Sequence, residues 1–282
     1  MAQSKQIKCS DVQEMLRLIG ECRELGDDPI IWRQHFMAGV ARLVDADVSA
    51  GAEMEGCLNG PQRTPGVAVW GFQHGFNVEG LQIIWEWSVT APDMSILWNK
   101  VQDQLRTSPS PGITLPRQQL LSDREWDRSP DRQIAMRTMG ADAVIHSFRQ
   151  LPGYDAFDGI CWFRAEGRPT FNEREVSFIA MMHQEVTRLI GGPLARFNEP
   201  HPFQLPRRVR QVHGCVLEGD SDKQIAARLA LSQHTVNQYN KQIFRHFSVT
   251  SRTELLGRWI RRGWSSKAAW NLPSEEPGIL IP

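Results

Sequence analysis

The 282-residue chain carries 32 Lys and Arg against 32 Asp and Glu, a formal net charge of zero. Its length suits two domains of ordinary size. No run approaches the ~20 apolar residues of a membrane span, and the opening MAQSKQIKCSD lacks the apolar core of a secretory signal. Five scattered cysteines (9, 22, 57, 161, 215), odd in number and without C-x-x-C spacing, fit reduced thiols and a cytoplasmic setting better than disulfides or a zinc site.

In chain order, Ser10 is expected to open an amphipathic helix with its stripe at Val12, Met15, Leu16, Ile19 and Cys22, ended by Gly26. Asp28-Pro29 starts a second helix, with Pro at the first helical position and Trp32, Phe36, Val40, Leu43 and Val44 on one side. Strands are predicted around 46–54, 66–74 and 80–89, the last from the aromatic and β-branched run LQIIWEWSVT. Pro92 to Arg106 reads as a helix, TSPSPGITLP as a loop, and the stretch after Pro130 as a short helix. Two more strands, 142–151 and 157–165, meet near Pro152-Gly153. Asn172 then caps a long helix with Glu175 as reciprocal partner, its stripe running through Val176, Phe178, Ile179, Met182, Val186 and Leu189. This order predicts an α+β fold for residues 1–190, an antiparallel sheet flanked by helices. Residues 191–204 read as a Gly- and Pro-rich linker, and 265–282 as a disordered tail.

Residues 205–264 carry four predicted helices at about 206–218, 222–230, 233–247 and 252–262. Their starts are written in capping chemistry: Ser221 with Gln224, Ser232 before Gln233, and Ser251 with Glu254. Gly219 supplies the left-handed stop of the first. Val236, Ile243 and Phe247 form the buried side of the third helix. Its other side presents His234, Asn237, Gln238, Lys241 and Arg245. Such a face suits major-groove reading: Asn and Gln pair with adenine N6/N7, and Lys reaches guanine O6/N7 or a phosphate. A merely solvated polar face is the alternative, and charge decides against it. This segment holds eleven Lys and Arg against four acids, a balance of +7, so the remainder stands at −7.

The segment resembles the LuxR-type, or GerE-type, helix-turn-helix domain. The matching residues include Leu205, Val212, Gly219, Ser221, Lys223, Ile225, Ala226, Leu229, Leu231, Ser232, Thr235, Val236, Phe247, Val249, Arg252, Glu254 and Leu255. The resemblance implies base contacts at Asn237, Gln238 and Lys241, phosphate contacts from Ser221, Lys223, Ser232, Thr235 and Arg245, and a dimer contact on the fourth helix. Leu256, Trp259 and Ile260 are expected there, partly exposed in a monomer. Two departures stand out: Pro206-Arg207-Arg208-Val209 replaces the usual Thr-Pro-Arg-Glu, and Ala230 sits where the turn usually has Gly, which predicts strain. The N-terminal part resembles GAF/PAS-like sensory folds in element order and exit helix.

The expected function is a sequence-specific DNA-binding transcription regulator acting as a homodimer on an inverted repeat, its DNA affinity controlled by a small-molecule or protein signal. The alternatives are an N-terminal domain that only dimerises or docks a partner and, more remotely, an enzyme tethered to DNA. Trp70, Trp85, Trp87, Trp98, Trp126 and Trp162 are candidates to line a ligand cavity. Autoinducer-binding LuxR proteins use a Trp/Tyr/Asp constellation, and Tyr154 is the lone tyrosine of the sensory part, which disfavours an acyl-homoserine lactone. His146 and His183 with Met181 and Met182 read as structural rather than metal-binding. No G-x-S-x-G, H-E-x-x-H or Walker loop occurs, so no catalytic residue, metal or cofactor is expected. Asp123, Glu125, Asp127 and Asp131 among Arg124, Arg128 and Arg132 read as a solvated, salt-bridged segment.

Overall fold

A computed structural model describes residues 7–58, 62–72, 75–108 and 110–264; the tail expected at 265–282 lies outside them. Among these, residues 7–18 and 33–188 form one compact unit and residues 19–32 with 189–264 the other.

The first unit is built on a five-stranded antiparallel sheet of order β2-β1-β5-β4-β3. Its strands are β1 (Val48–Glu55), β2 (Arg63–Trp70), β3 (Gly112–Pro116), β4 (Ala141–Gln150) and β5 (Ala156–Ala165). Helices precede, interrupt and follow it. They are α1 (Cys9–Glu24), α2 (Pro29–Val44), α3 (Val78–Thr90), α4 (Ile96–Thr107), α5 (Asp123–Arg128), a π-helical stretch Asp131–Met136 running into α6 (Arg137–Met139), and α7 (Glu173–Thr187). The α+β expectation is met.

Period-two alternation gives the sheet two unlike faces. One face, with Ala50, Ala52, Val144, His146, Phe148, Cys161 and Phe163, lies beneath α3, α4 and the π-helical stretch. The other carries Glu53, Ser147, Asp158 and Trp162, and meets Arg33, Phe36 and Met37 of α2 and His183 of α7.

Several elements differ from the sequence reading. LQIIWEWSVT is helix α3, not a strand. Asn77 caps it by accepting from Glu79 N at 2.9 Å, and Leu81, Ile84, Trp85 and Ser88 then recur at helical spacing along one cavity wall. The β-leaning composition is overridden by the apolar surface this helix covers. Gly80 permits close approach there, since a Cβ would meet Ala135 O and Met139 N at 2.4 Å. The Pro/Ser-rich loop contains strand β3, an edge strand paired with β4 from Gly112↔Arg149 to Pro116↔Ile145, with proline tolerated at its end. Helix α5 lies within the segment expected to be merely solvated and salt-bridged, and Ser122 and Glu125 start it with a complete capping box. Ser10 lies inside the first turn of α1, where Asp11 instead accepts from Lys8 N at 2.8 Å. The buried set of α1 is Met15, Leu18 and Cys22, while Val12 and Leu16 face outward. Asp28 and the capping box of Asn172 with Glu175 behave as expected.

The second unit contains α8 (Arg207–Leu217), α9 (Asp222–Leu229), α10 (Gln233–His246) and α11 (Arg252–Arg262), each within a residue or so of its expected bounds. Its core gathers Leu205, Val209, Val212, Ile225, Val236, Ile243, Phe247 and Leu255. The segment read as a linker is packed into this unit. Ala195 is fully buried, its carbonyl accepts from Trp32 Nε1 at 3.0 Å, and its N–H donates to Gly26 O at 2.7 Å. Arg262 forks onto Glu199 at 3.0 Å through both terminal nitrogens.

Candidate DNA-reading face and ligand cavity

Two capping interactions set the ends of the turn in the second unit. Ser221 accepts from Gln224 N at 3.4 Å while Gln224 Oε1 accepts from Ser221 N at 2.8 Å, fixing the start of α9. Ser232 Oγ accepts from Thr235 N at 3.0 Å and starts α10. Between them Ala230 closes α9 at φ 53°, ψ 49°, the left-handed region a side chain resists. The strain expected from the missing glycine is therefore present in the backbone. At Ser251 the expected reciprocal box is only half formed, because Glu254 accepts from Thr250 N and Oγ1 at 2.7 and 2.8 Å.

On α10, Val236 and Ile243 point into the core and are fully buried. His234, Asn237, Gln238, Lys241 and Arg245 are exposed, as are Ser221, Lys223 and Ser232, while Thr235 is half-buried. His234, Gln238, Lys241 and Arg245, at offsets of four, three and four, share one stripe, and Gln238 Nε2 lies 3.4 Å from His234 Nε2. Two other charged residues of the module are paired within it. Asp222 accepts from Asn240 Nδ2 at 3.0 Å and from Arg252 Nη2 at 2.8 Å. Arg228 is held by Glu218 and Asp220, whose bonds push its pKa up. Lys223, Lys241 and Arg245 have no ion pair among the described residues, so their charge faces outward.

The dimer candidates on α11 divide. Ile260 is 76 % exposed and Leu256 half-buried, but Trp259 is only 3 % exposed, contrary to the expectation of a surface residue. Its ring packs edge-on against Phe247 at 5.0 Å and Trp264 at 4.9 Å, and against His213 at 4.7 Å. Sequence spacing could not show that Trp264, just beyond α11, would fold back onto it. His213, unremarked in the sequence, is fully buried with both ring nitrogens unpartnered, and burial drives its pKa down to about 3.

In the first unit a cavity of about 90 Å³ lies between the apolar sheet face and α3 and α4. Of the six candidate tryptophans, Trp85 and Trp98 line it. Trp162 sits on the opposite sheet face against Phe36, and Trp126 belongs to the core beside Leu121 and Met139. Trp70 and Trp87 are half-buried and not part of the lining. Asp131 corrects the solvated reading of its segment: it is 2 % exposed, accepts from Ser95 Oγ at 2.5 Å and Leu97 N at 3.2 Å, and burial raises its pKa. Its neighbours do form ion pairs, the buried Arg117 with the exposed Asp123 at 2.6 Å and the half-buried Arg132 with Asp142 at 3.1 Å.

His146 and His183 fall on opposite faces of the sheet and do not meet. Among the described residues no three His, Cys, Asp or Glu side chains are grouped to hold a metal. His183 takes part in a chain of buried polar groups: Ser147 Oγ lies 2.8 Å from His183 Nδ1, and Asp158 Oδ2 lies 3.1 Å from His183 Nε2. The order Ser–His–Asp has the look of a nucleophile relay, yet all three are fully buried. Arg33, also fully buried, donates to Asp158 at 3.0 Å and Glu53 at 2.5 Å. Burial pushes the Asp158 carboxyl up, but Arg33 and His183 outweigh it and hold it below the usual range. The arrangement neutralises charge inside the fold; a substrate has no way to the hydroxyl.

The second unit thus presents a helix-turn-helix module with an outward polar and cationic helix. Residues 204–257 match the model of the bacterial regulatory proteins of the luxR family, and this segment is a luxR-family domain. No curated protein matches the chain. The solved structures similar to it include the following three. SdiA in complex with octanoyl-rac-glycerol is 12% identical over 91% of this chain and 97% of its own, with a TM-score of 0.42. Escherichia coli SdiA is 12% identical over 90% and 97%, with a TM-score of 0.38. The VqsR LBD domain from Pseudomonas aeruginosa is 10% identical over 64% and 92%, with a TM-score of 0.42. No helix among the described residues is long and apolar enough to cross a membrane.

Proposed function

We propose that this chain is a sequence-specific DNA-binding transcription regulator, acting in the cytoplasm, whose N-terminal domain (1–190) controls the DNA affinity of the module at 205–264 by binding a small molecule. The exposed stripe of His234, Gln238, Lys241 and Arg245 on a luxR-family helix carries this reading. Asn237, Gln238 and Lys241 read base edges, with His234 beside them. Ser221, Lys223, Ser232, Thr235 and Arg245 hold phosphates. The cavity beneath α3 is the signal site, because its walls are apolar and carry a few polar groups. Ile260 and Leu256 supply a self-complementary contact that brings two modules onto an inverted repeat.

The test is selection of preferred duplex sites by the full chain and its variants. Gln238→Ala and Lys241→Ala should each lose about 1–3 kcal/mol of base discrimination. Lys223→Ala and Arg245→Ala should weaken all sequences alike and flatten the salt dependence. Unchanged site preference in the Gln238 and Lys241 variants would refute the assignment of the reading helix. One chain per saturated duplex in sedimentation would refute the dimer.

A further inference from the structure

At the end of the sheet, beside the last turn of α7 and the turn that joins β4 to β5, lies a groove of about 440 Å³. It shares no lining residue with the cavity beneath α3. Alternation along β4 puts its central side chain, Arg149, with Ser147 on the sheet face that meets α7, opposite the cavity face of His146 and Phe148.

Arg149 is held by one edge only. Its Nη2 donates to Thr114 Oγ1 at 3.1 Å and to Ala180 O of α7 at 3.3 Å. Thr114 is fixed in turn by its register partner Ser147, with 2.8 Å between the two hydroxyl oxygens. The other edge is unspent: Nε is buried without a partner, and Nη1 has none among the described residues and is not buried. The more deeply placed arginines of this unit each have a carboxylate, Arg33 those of Glu53 and Asp158 and Arg164 that of Glu175. No carboxylate pairs with Arg149 among the described residues; burial pushes its pKa down and no acid offsets the shift. A guanidinium stays charged at any physiological pH, so a half-buried one without a counter-charge is a standing site for an anion.

The rest of the groove fits that reading. Its described lining holds Arg149 and Arg188 and no aspartate or glutamate. Arg188 pairs with Glu185 at 2.7 Å on the surface, an exposed contact that contributes little and is readily exchanged. The last carbonyls of α7 carry about half a negative charge, less than the two arginines supply. Gln150 and Gln184 add amide donors, and Pro111 and Pro152 add apolar wall. A volume within the ~300–1,000 Å³ of small-molecule sites exceeds what a bare inorganic ion fills.

We propose that this groove binds a small organic carboxylate, its oxygens against Arg149 Nη1 with Arg188 as the second cation and its carbon body along Pro111 and Pro152. Nη2 and its two acceptors hold the guanidinium in place beforehand, so little order is lost when the charge-assisted bond forms.

Calorimetry on the full chain compares succinate, its uncharged diamide succinamide, and inorganic phosphate at constant ionic strength. Succinate should bind, with succinamide and phosphate each at least about tenfold weaker. Gln184→Glu alters an exposed side chain and sets a carboxylate in the groove, so it should also weaken succinate at least about tenfold. Arg149→Gln should do the same, its urea midpoint showing that the chain is folded, and Gln184→Glu carries the test if it is not. Succinamide binding as tightly as succinate overturns the charge argument, and phosphate doing so overturns the organic ligand. Succinate affinity unchanged in Gln184→Glu overturns the location. No binding of succinate at millimolar concentration overturns the proposal altogether, while the DNA-reading face and the cavity, which predict none of these results, are untouched.

Discussion

Replacing Arg33 with methionine isolates the charge chemistry at the heart of the first unit. The guanidinium is fully buried between Glu53 at 2.5 Å and Asp158 at 3.0 Å. Methionine keeps much of the side-chain volume, so the main loss is the positive charge facing two carboxylates away from water. Removing one partner of a buried ion pair costs about 3–5 kcal/mol, a large share of the ~5–15 kcal/mol that holds a domain folded. In the parent chain the folded Asp158 carboxyl sits low. The stability it contributes is present above the ordinary carboxylate range and is lost as pH falls through the folded value. Without Arg33, burial is opposed by His183 and the folded Asp158 carboxyl rises. Its penalty is then greatest at neutral pH and fades as acid protonates it. Urea unfolding near neutral pH should show the full loss, and at about pH 3 the two chains should approach each other. The triple variant Arg33→Met, Glu53→Gln, Asp158→Asn should recover most of the stability, because no uncompensated charge remains. A loss below about 1 kcal/mol, which is what a screened surface pair would give, or a loss that ignores pH, would refute the reasoning.

Ala230→Gly relieves a left-handed alanine whose strain is about 1–2 kcal/mol and gives back about 0.4–1 kcal/mol through the freer unfolded chain. Hydrogen exchange of the α9–α10 region should therefore slow by a net of roughly 0.5–1 kcal/mol, and faster exchange would contradict the strain at φ 53°. His213→Leu removes a buried imidazole whose folded pKa is depressed to about 3. The parent should lose stability as pH falls from the ordinary histidine range toward that value while the variant's acid limb is flatter, and coincident pH profiles would count against this. Gly80→Ala places a Cβ 2.4 Å from Ala135 O and Met139 N; overpacking of this kind costs about 1–3 kcal/mol, and an unchanged urea midpoint would show that α3 can shift at no cost.

The second unit was legible in the sequence because its instructions are local. Ser221 with Gln224 and Ser232 ahead of Gln233 specify helix starts within one turn, and Gly219 specifies a stop. Apolar spacing then leaves His234, Gln238, Lys241 and Arg245 on the outward side. The sheet strands β1, β4 and β5 were likewise readable from alternation and chain order. What only tertiary structure decided were the features made by distant residues. LQIIWEWSVT has the composition of a strand and becomes a helix because its apolar side roofs the sheet. GITLP looks like loop and becomes a strand because β4 offers it an edge. Trp259 is buried because Trp264 and His213 close over it, and Asp131 is buried because α4 begins beside it. Arg33, Glu53, Asp158 and His183 are far apart along the chain, and their meeting is set by strand register and helix docking. A local code records how each segment starts and stops, whereas burial and pairing depend on which surfaces the completed fold brings together.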